Sequence, residues 1–160
     1  MKLLLALLIV LPFSLNGQTQ QETFVARVIY SEAGPSVSAF ERYMVASVIK
    51  NRLNHRGFGK KATMFDIVNV KNAFECINHD ANQNWKMSGE IKQHWDNVHV
   101  RKAWRQSAAL AKGTFTPYKD IHFFLTKGTK VPKNFVATKY WKLTKLKSTK
   151  HFDFYNITEK

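Results

Sequence analysis

A chain of 160 residues, 44% of them apolar and including twelve Phe, five Tyr and four Trp, has material for one packed domain and leaves little room for a second. Its 25 Lys and Arg against 11 Asp and Glu give a net charge of +14, which points to a polyanion or an anionic surface as partner. The single cysteine, Cys76, excludes an intramolecular disulfide, so the core has to hold the fold by itself.

In chain order, Lys2 is followed by an unbroken apolar run from Leu3 to Val10, a break at Pro12, and then Asn16 and Gly17. This is the outline of a secretory signal peptide. Even extended to Phe13, the run falls well short of the roughly 20 residues a membrane-spanning helix takes, so no stable membrane anchor is expected. It also lacks the polar and apolar alternation of a helix packed in a domain. Cleavage is expected after Gly17, leaving residues 18–160 as one domain without linker or repeat. Export turns the charge toward anionic cell-envelope polymers and away from nucleic acid, the usual partner at such a pI.

From Glu22 to Ser31, Phe24, Val25, Val28 and Ile29 recur at helical spacing, which predicts a first helix ending near Glu32. Gly34 and Pro35 break it. Ser36 or Ser38 can cap a second helix carrying the stripe Phe40, Met44, Val45, Val48, Ile49 and Leu53, closed by Gly57 and Gly59. Thr63 can cap a short turn through Met64, Ile67 and Val68. Residues 69–89 have no sustained period and read as a long binding loop. Ile91, Trp95, Val98, Ala103, Trp104, Ala108 and Ala111 mark a longer helix with a break near Asn97 and a stop at Gly113. Beyond Pro117, the runs Ile121–Leu125, Tyr140–Leu146 and His151–Ile157 read as strands, the last two forming an antiparallel hairpin. Helices first and strands last predict an α+β fold.

Glu32 stands where the first helix ends, among Val28, Ile29 and Ala33. A carboxyl near the negative end of a helix dipole and against apolar walls has its neutral form favoured, as a general acid requires. On position alone, a solvated helix-end glutamate is the commoner reading.

The run Val25-Ala26-Arg27-Val28-Ile29-Tyr30-Ser31-Glu32-Ala33, followed by Val45-Ala46-Ser47-Val48-Ile49-Lys50-Asn51-Arg52, resembles the SleB-type cell wall hydrolase family in order and spacing. Ala73-Phe74-Glu75-Cys76, Ile121-His122-Phe123-Phe124 and Lys150-His151-Phe152-Asp153-Phe154-Tyr155 resemble its later motifs, so the likeness spans about Phe24 to Tyr155. It implies a lysozyme-like domain of the lytic transglycosylase kind, with Glu32 as catalytic residue, peptidoglycan glycan strands as substrate and no cofactor. By the same resemblance Phe74, Glu75, Asn51, Arg52, His122 and Tyr155 become candidate substrate-binding residues. Read without it, Arg52 is as easily a helix cap, Phe74 a loop anchor, and His122 and Tyr155 polar strand residues.

Two departures stand out: Glu75 replaces a small polar residue, and Ala73 stands where the family has Gln, a contact that Asn72 could supply. A hydrolytic rather than transglycosylating enzyme ordinarily needs a second carboxylate, for which Glu41, Glu75 and Asp80 are the candidates. His79, His94 and His99 lack tetrahedral ligand spacing and Cys76 is a lone thiol, so no metal is expected. A monomer is expected. The alternatives are a phage endolysin of the same chemistry, a non-catalytic basic wall-binding protein, and an exported nucleic-acid-binding protein using the aromatic and Lys-rich residues 133–147.

Overall fold

The computed structural model describes residues 18–70, 73–78, 82–131 and 141–159. The leader, Asn72, His79, Asp80 and most of the Lys-rich stretch before Trp141 lie outside the described residues.

Helix α1, Gln20–Ala33, starts with a reciprocal cap: Thr19 Oγ1 accepts from the Glu22 amide at 3.1 Å and Glu22 Oε2 accepts from the Thr19 amide at 2.8 Å. Val25, Ala26, Val28, Ile29 and Tyr30 are all buried, because α1 is the central helix. It ends at Gly34, whose φ of 80° is left-handed space that a side chain resists, and whose N–H closes on the Tyr30 carbonyl at 2.8 Å.

Helix α2, Ala39–Arg52, is capped by Ser38 with Glu41 in the same reciprocal way. It stands between two packed clusters. Ala46 and Ile49 join α1 in the larger one, while Met44, Val45 and Val48 face Ile121, Phe152 and Phe154 of the sheet side. Burial on both sides extends to polar side chains, with Glu41, Ser47 and Arg52 buried along with the apolar ones. Arg42, also fully buried, spends its Nη1 on Gln106 Oε1 at 2.7 Å and its Nη2 on the Gly34 carbonyl at 2.6 Å.

After a short 3₁₀ turn at Arg56–Phe58 comes α3, Met64–Val68, capped by Thr63. The segment expected to be irregular contains α4, Glu75–Asn78, and α5, Gln83–Gly89. Asn82 opens α5 by accepting from the Trp85 amide at 2.9 Å. Arg27 fixes α5 to α1, donating to Ser88 Oγ at 3.2 Å with its guanidinium 4.0 Å from the Trp85 ring centre. The break expected near Asn97 is present: a 3₁₀ turn, Ile91–His94, precedes α6, Val98–Ala111, and Asn97 Oδ1 accepts from the amides of His99 and Val100.

Strands β1, Phe123–Thr126, β2, Trp141–Ser148, and β3, Phe152–Glu159, form an antiparallel sheet in the order β1-β3-β2. The expected hairpin is there, with β2 running on to Ser148 and a bulge between Lys145 and Lys147. The fold is α+β, helices followed by a small sheet. Among the described residues, no helix is long and apolar enough to cross a membrane.

Candidate active site

Glu32 lies in the last turn of α1, and its Oε1 accepts a hydrogen bond of 2.9 Å from the Cys76 amide at the start of α4. The carboxyl is only partly exposed. Burial pushes its pKa up, and the negative charge of Glu75 adds to that, while the Cys76 amide and thiol and the Arg52 cation pull the other way. Burial prevails, so Glu32 holds its proton to higher pH than an ordinary glutamate. The Cys76 thiol is pushed up by its own burial and by Glu32, so it stays a protonated donor toward that carboxyl.

Arg52, 5% exposed, closes the site from behind. Its Nε donates to the His122 carbonyl at 2.8 Å and its Nη1 reaches the Ala73 carbonyl at 3.5 Å. The guanidinium is also packed among the rings of Phe58, Phe74 and Phe123, with centres 4.9, 5.0 and 4.8 Å away. Burial lowers its pKa to about 10, so it remains a cation at neutral pH, and the nearby Glu32 works to keep it one. Arg52 thus joins α2, the Ala73–Cys76 loop and β1, and the loop delivers the amide that grips Glu32.

The other sequence candidates fall into separate places. Phe74 is 4% exposed and packs in the core under Arg52, an anchoring position. Glu75 is exposed, and its charge is felt at Glu32. Asn51 Nδ2 donates to the carbonyls of Tyr118 at 2.7 Å and Ile121 at 2.9 Å, holding the segment that leads into β1. His122 Nδ1 is 3.0 Å from Asn156 Oδ1, and its ring centre is 4.5 Å from that of His55. Tyr155 is buried and pairs with Phe123, with Lys145 Nζ 5.9 Å from its ring centre.

Glu41 is 3% exposed and belongs elsewhere: it caps α2 and accepts from the His151 amide at 2.9 Å and from His151 Nδ1. Burial works against its charge, but the His151 side-chain and backbone bonds outweigh it and bring the pKa down to about 2. Among the described residues no group of three His, Cys, Asp or Glu could hold a metal ion. Cys76 escaped the sequence reading as a part of the site; a lone thiol within a candidate loop was the available signal.

An α+β domain that presents a half-buried carboxyl of raised pKa at a helix end, hydrogen-bonded by the Cys76 amide and backed by a buried cation, fits an acid-catalysed cleavage enzyme. A family model described as Cell Wall Hydrolase matches residues 38–155, well over half of the chain. The chain belongs to this family, the SleB-type cell wall hydrolases, whose substrate is peptidoglycan. The match takes in α2, the Ala73–Cys76 loop and the sheet but begins beyond Glu32, so the case for that residue is its surroundings. Neither curated proteins nor solved structures gave a match.

Proposed function

We propose that the chain cuts peptidoglycan glycan strands at the β-1,4 bond between N-acetylmuramic acid and N-acetylglucosamine, as a lytic transglycosylase with Glu32 as its acid and base. The observation that carries this is the raised pKa of a carboxyl that still reaches solvent and is held by the Cys76 amide. Protonated Glu32 would donate to the glycosidic oxygen as the sugar takes on oxocarbenium character. The resulting carboxylate, stabilised by the Cys76 amide and the positive field of Arg52, would then take the proton of the muramic acid C6 hydroxyl. That oxygen closes on C1, giving a 1,6-anhydro end and returning Glu32 to its acid form. The signal peptide read in residues 1–17 would bring the enzyme to the wall.

A one-carboxyl cycle is favoured because Glu41 is committed to the α2 cap and His151. Glu75 supports a second reading, hydrolysis with a water-activating base, since its charge is felt at Glu32. Mass spectrometry of purified peptidoglycan digested by the protein, run beside Glu32→Gln, separates the two. Anhydro-muropeptides that disappear in the variant are expected. Reducing-end products that need Glu75 would replace transglycosylation by hydrolysis, and an active Glu32→Gln protein would remove Glu32 from the mechanism.

A further inference from the structure

We propose that His122, Asn156 and Thr144, a polar row crossing the sheet with the His55 ring tilted against its His122 end, form a saccharide subsite for acetamido sugars of the glycan strand. This rests on the reading of the chain as a glycan-cutting enzyme. The row begins with the 3.0 Å contact between His122 Nδ1 and Asn156 Oδ1. A carboxamide oxygen only accepts, so the imidazole donates from Nδ1 and, when neutral, carries a lone pair on Nε2. Burial, helped by the neighbouring His55, lowers the pKa of His122 and keeps it in that neutral form. With Oδ1 occupied, Asn156 turns its two amide N–H donors to other acceptors. Asn156 pairs directly with Thr144 across β3 and β2, so the two side chains share a face, and Thr144 is exposed. The ring of His55 stands tilted over His122, and its Nδ1 accepts from the Gly57 amide at 3.1 Å, which places the proton of a neutral ring on Nε2.

The row therefore offers an acceptor, two donors and a hydroxyl in sequence. Neutral, directional groups of this kind match sugar hydroxyls and acetamido groups, whereas a phosphate or carboxylate ligand would call for cations. Phe152, Phe154 and Asn156 are alternate residues of one strand face, the first two are core, and an apolar residue would continue the pattern better than Asn156. Arg52 ties the row to the acid: it bonds the His122 carbonyl, and its charge acts on both Glu32 and His122. A strand with one sugar at Glu32 would lay a neighbouring sugar along the row.

The test uses the Glu32→Gln protein, so that binding is read without cutting, and the soluble β-1,4-linked N-acetylglucosamine hexamer as probe. In an NMR titration, the Asn156 side-chain amide and the His122 Nε2 signals are expected to shift. Asn156→Ala and Thr144→Val, added to that background, are each expected to weaken hexamer binding about tenfold, the loss of one or two ligand hydrogen bonds. Thr144 is exposed, so its replacement leaves folding intact and keeps the test valid even where Asn156→Ala disturbs the sheet. No hexamer binding, shifts confined to other residues, or an unchanged Kd in Thr144→Val would each overturn the subsite. A row that binds the hexamer in a protein yielding no product from peptidoglycan would retire the glycan-cutting reading and keep the subsite. Product formation without any response of the row would do the reverse.

Discussion

The Glu32 carboxyl illustrates how a site can oppose the stability of the fold that carries it. Its folded pKa is raised by burial, so the native protein holds this proton where the unfolded chain has released it. The linkage then runs against stability: the contribution is complete below the ordinary carboxylate pKa and is lost as pH rises through the folded value. Glu32→Gln keeps the size of the side chain and removes the charge, so thermal melts should show it more stable than the parent by a few degrees at pH 7. The difference should vanish near pH 4, where both side chains are neutral. An equal or lower melting temperature at pH 7 would mean that the ionised carboxylate is well solvated, and the acid role would lose its physical basis. Arg52 is the counterpart, a cation at neutral pH that is buried yet bonded. Arg52→Met would leave the His122 carbonyl without its donor and the Phe58, Phe74 and Phe123 rings without the plane they pack against. A cost of about 2–4 kcal/mol in urea unfolding is expected, together with lost activity as the Ala73–Cys76 loop releases Glu32. Arg52→Lys should recover little of either, because an ammonium cannot supply the flat fork these partners require.

At the level of elements, α1 was legible from its apolar stripe and the Gly34 stop and α2 from its serine cap and apolar stripe, whereas the Thr19 cap of α1 went unread and α2 ends at Arg52, short of the glycines expected to close it. The hairpin of β2 and β3 was legible through aromatic and β-branched runs flanking Lys147–Lys150. Helices α4 and α5 were not. A helix of one or two turns is too short to display a period, and these two are held by tertiary contacts such as Arg27 to Ser88 and the Trp85 carbonyl. The site was legible only in part for a related reason. Glu32 was singled out by the family resemblance, since its place at a helix end reads by itself as a solvated residue; the amide that holds it belongs to Cys76, and the pairing of α1 with the 73–76 loop leaves no local trace in sequence. Glu41 shows the converse, a carboxylate whose element context settles its role. It locks the start of α2 to the hairpin through His151, and with its folded pKa near 2 it stabilises the protein at neutral pH. That stability is complete above the ordinary carboxylate value and is lost as pH falls from about 4 toward 2. Glu41→Gln should therefore lower the melting temperature at pH 7 by several degrees and flatten the acid limb of the stability curve. An unchanged acid limb would show that another carboxylate controls it.

For the whole molecule the relevant quantity is the net charge of +14, which no single contact accounts for. Strand β2 displays part of it, since Lys142, Lys145 and Lys147 are all exposed on an edge of the sheet, with Lys145 paired to Asp153 at 2.8 Å. Charged edge strands also discourage edge-to-edge pairing, so these lysines would be useful even without a partner. The two roles differ in what they predict. Attraction to an anionic wall acts over a Debye length, about 10 Å at 0.1 M salt and roughly 3 Å at 1 M, so binding of the Glu32→Gln protein to purified walls should weaken steeply as salt is raised. Replacing Lys142 and Lys147 by Glu should reduce binding at low salt several-fold and flatten the salt dependence, with melting temperature altered little because both side chains are exposed. Edge protection alone would give another pattern: unchanged wall binding, and no increase in self-association either, because glutamate guards an edge as well as lysine does. The measurement that decides is the salt slope of wall binding in the parent and the double variant. A difference between the slopes would make the basic strand part of how the enzyme is retained on its polymer, and equal slopes would leave its lysines to the protection of the sheet.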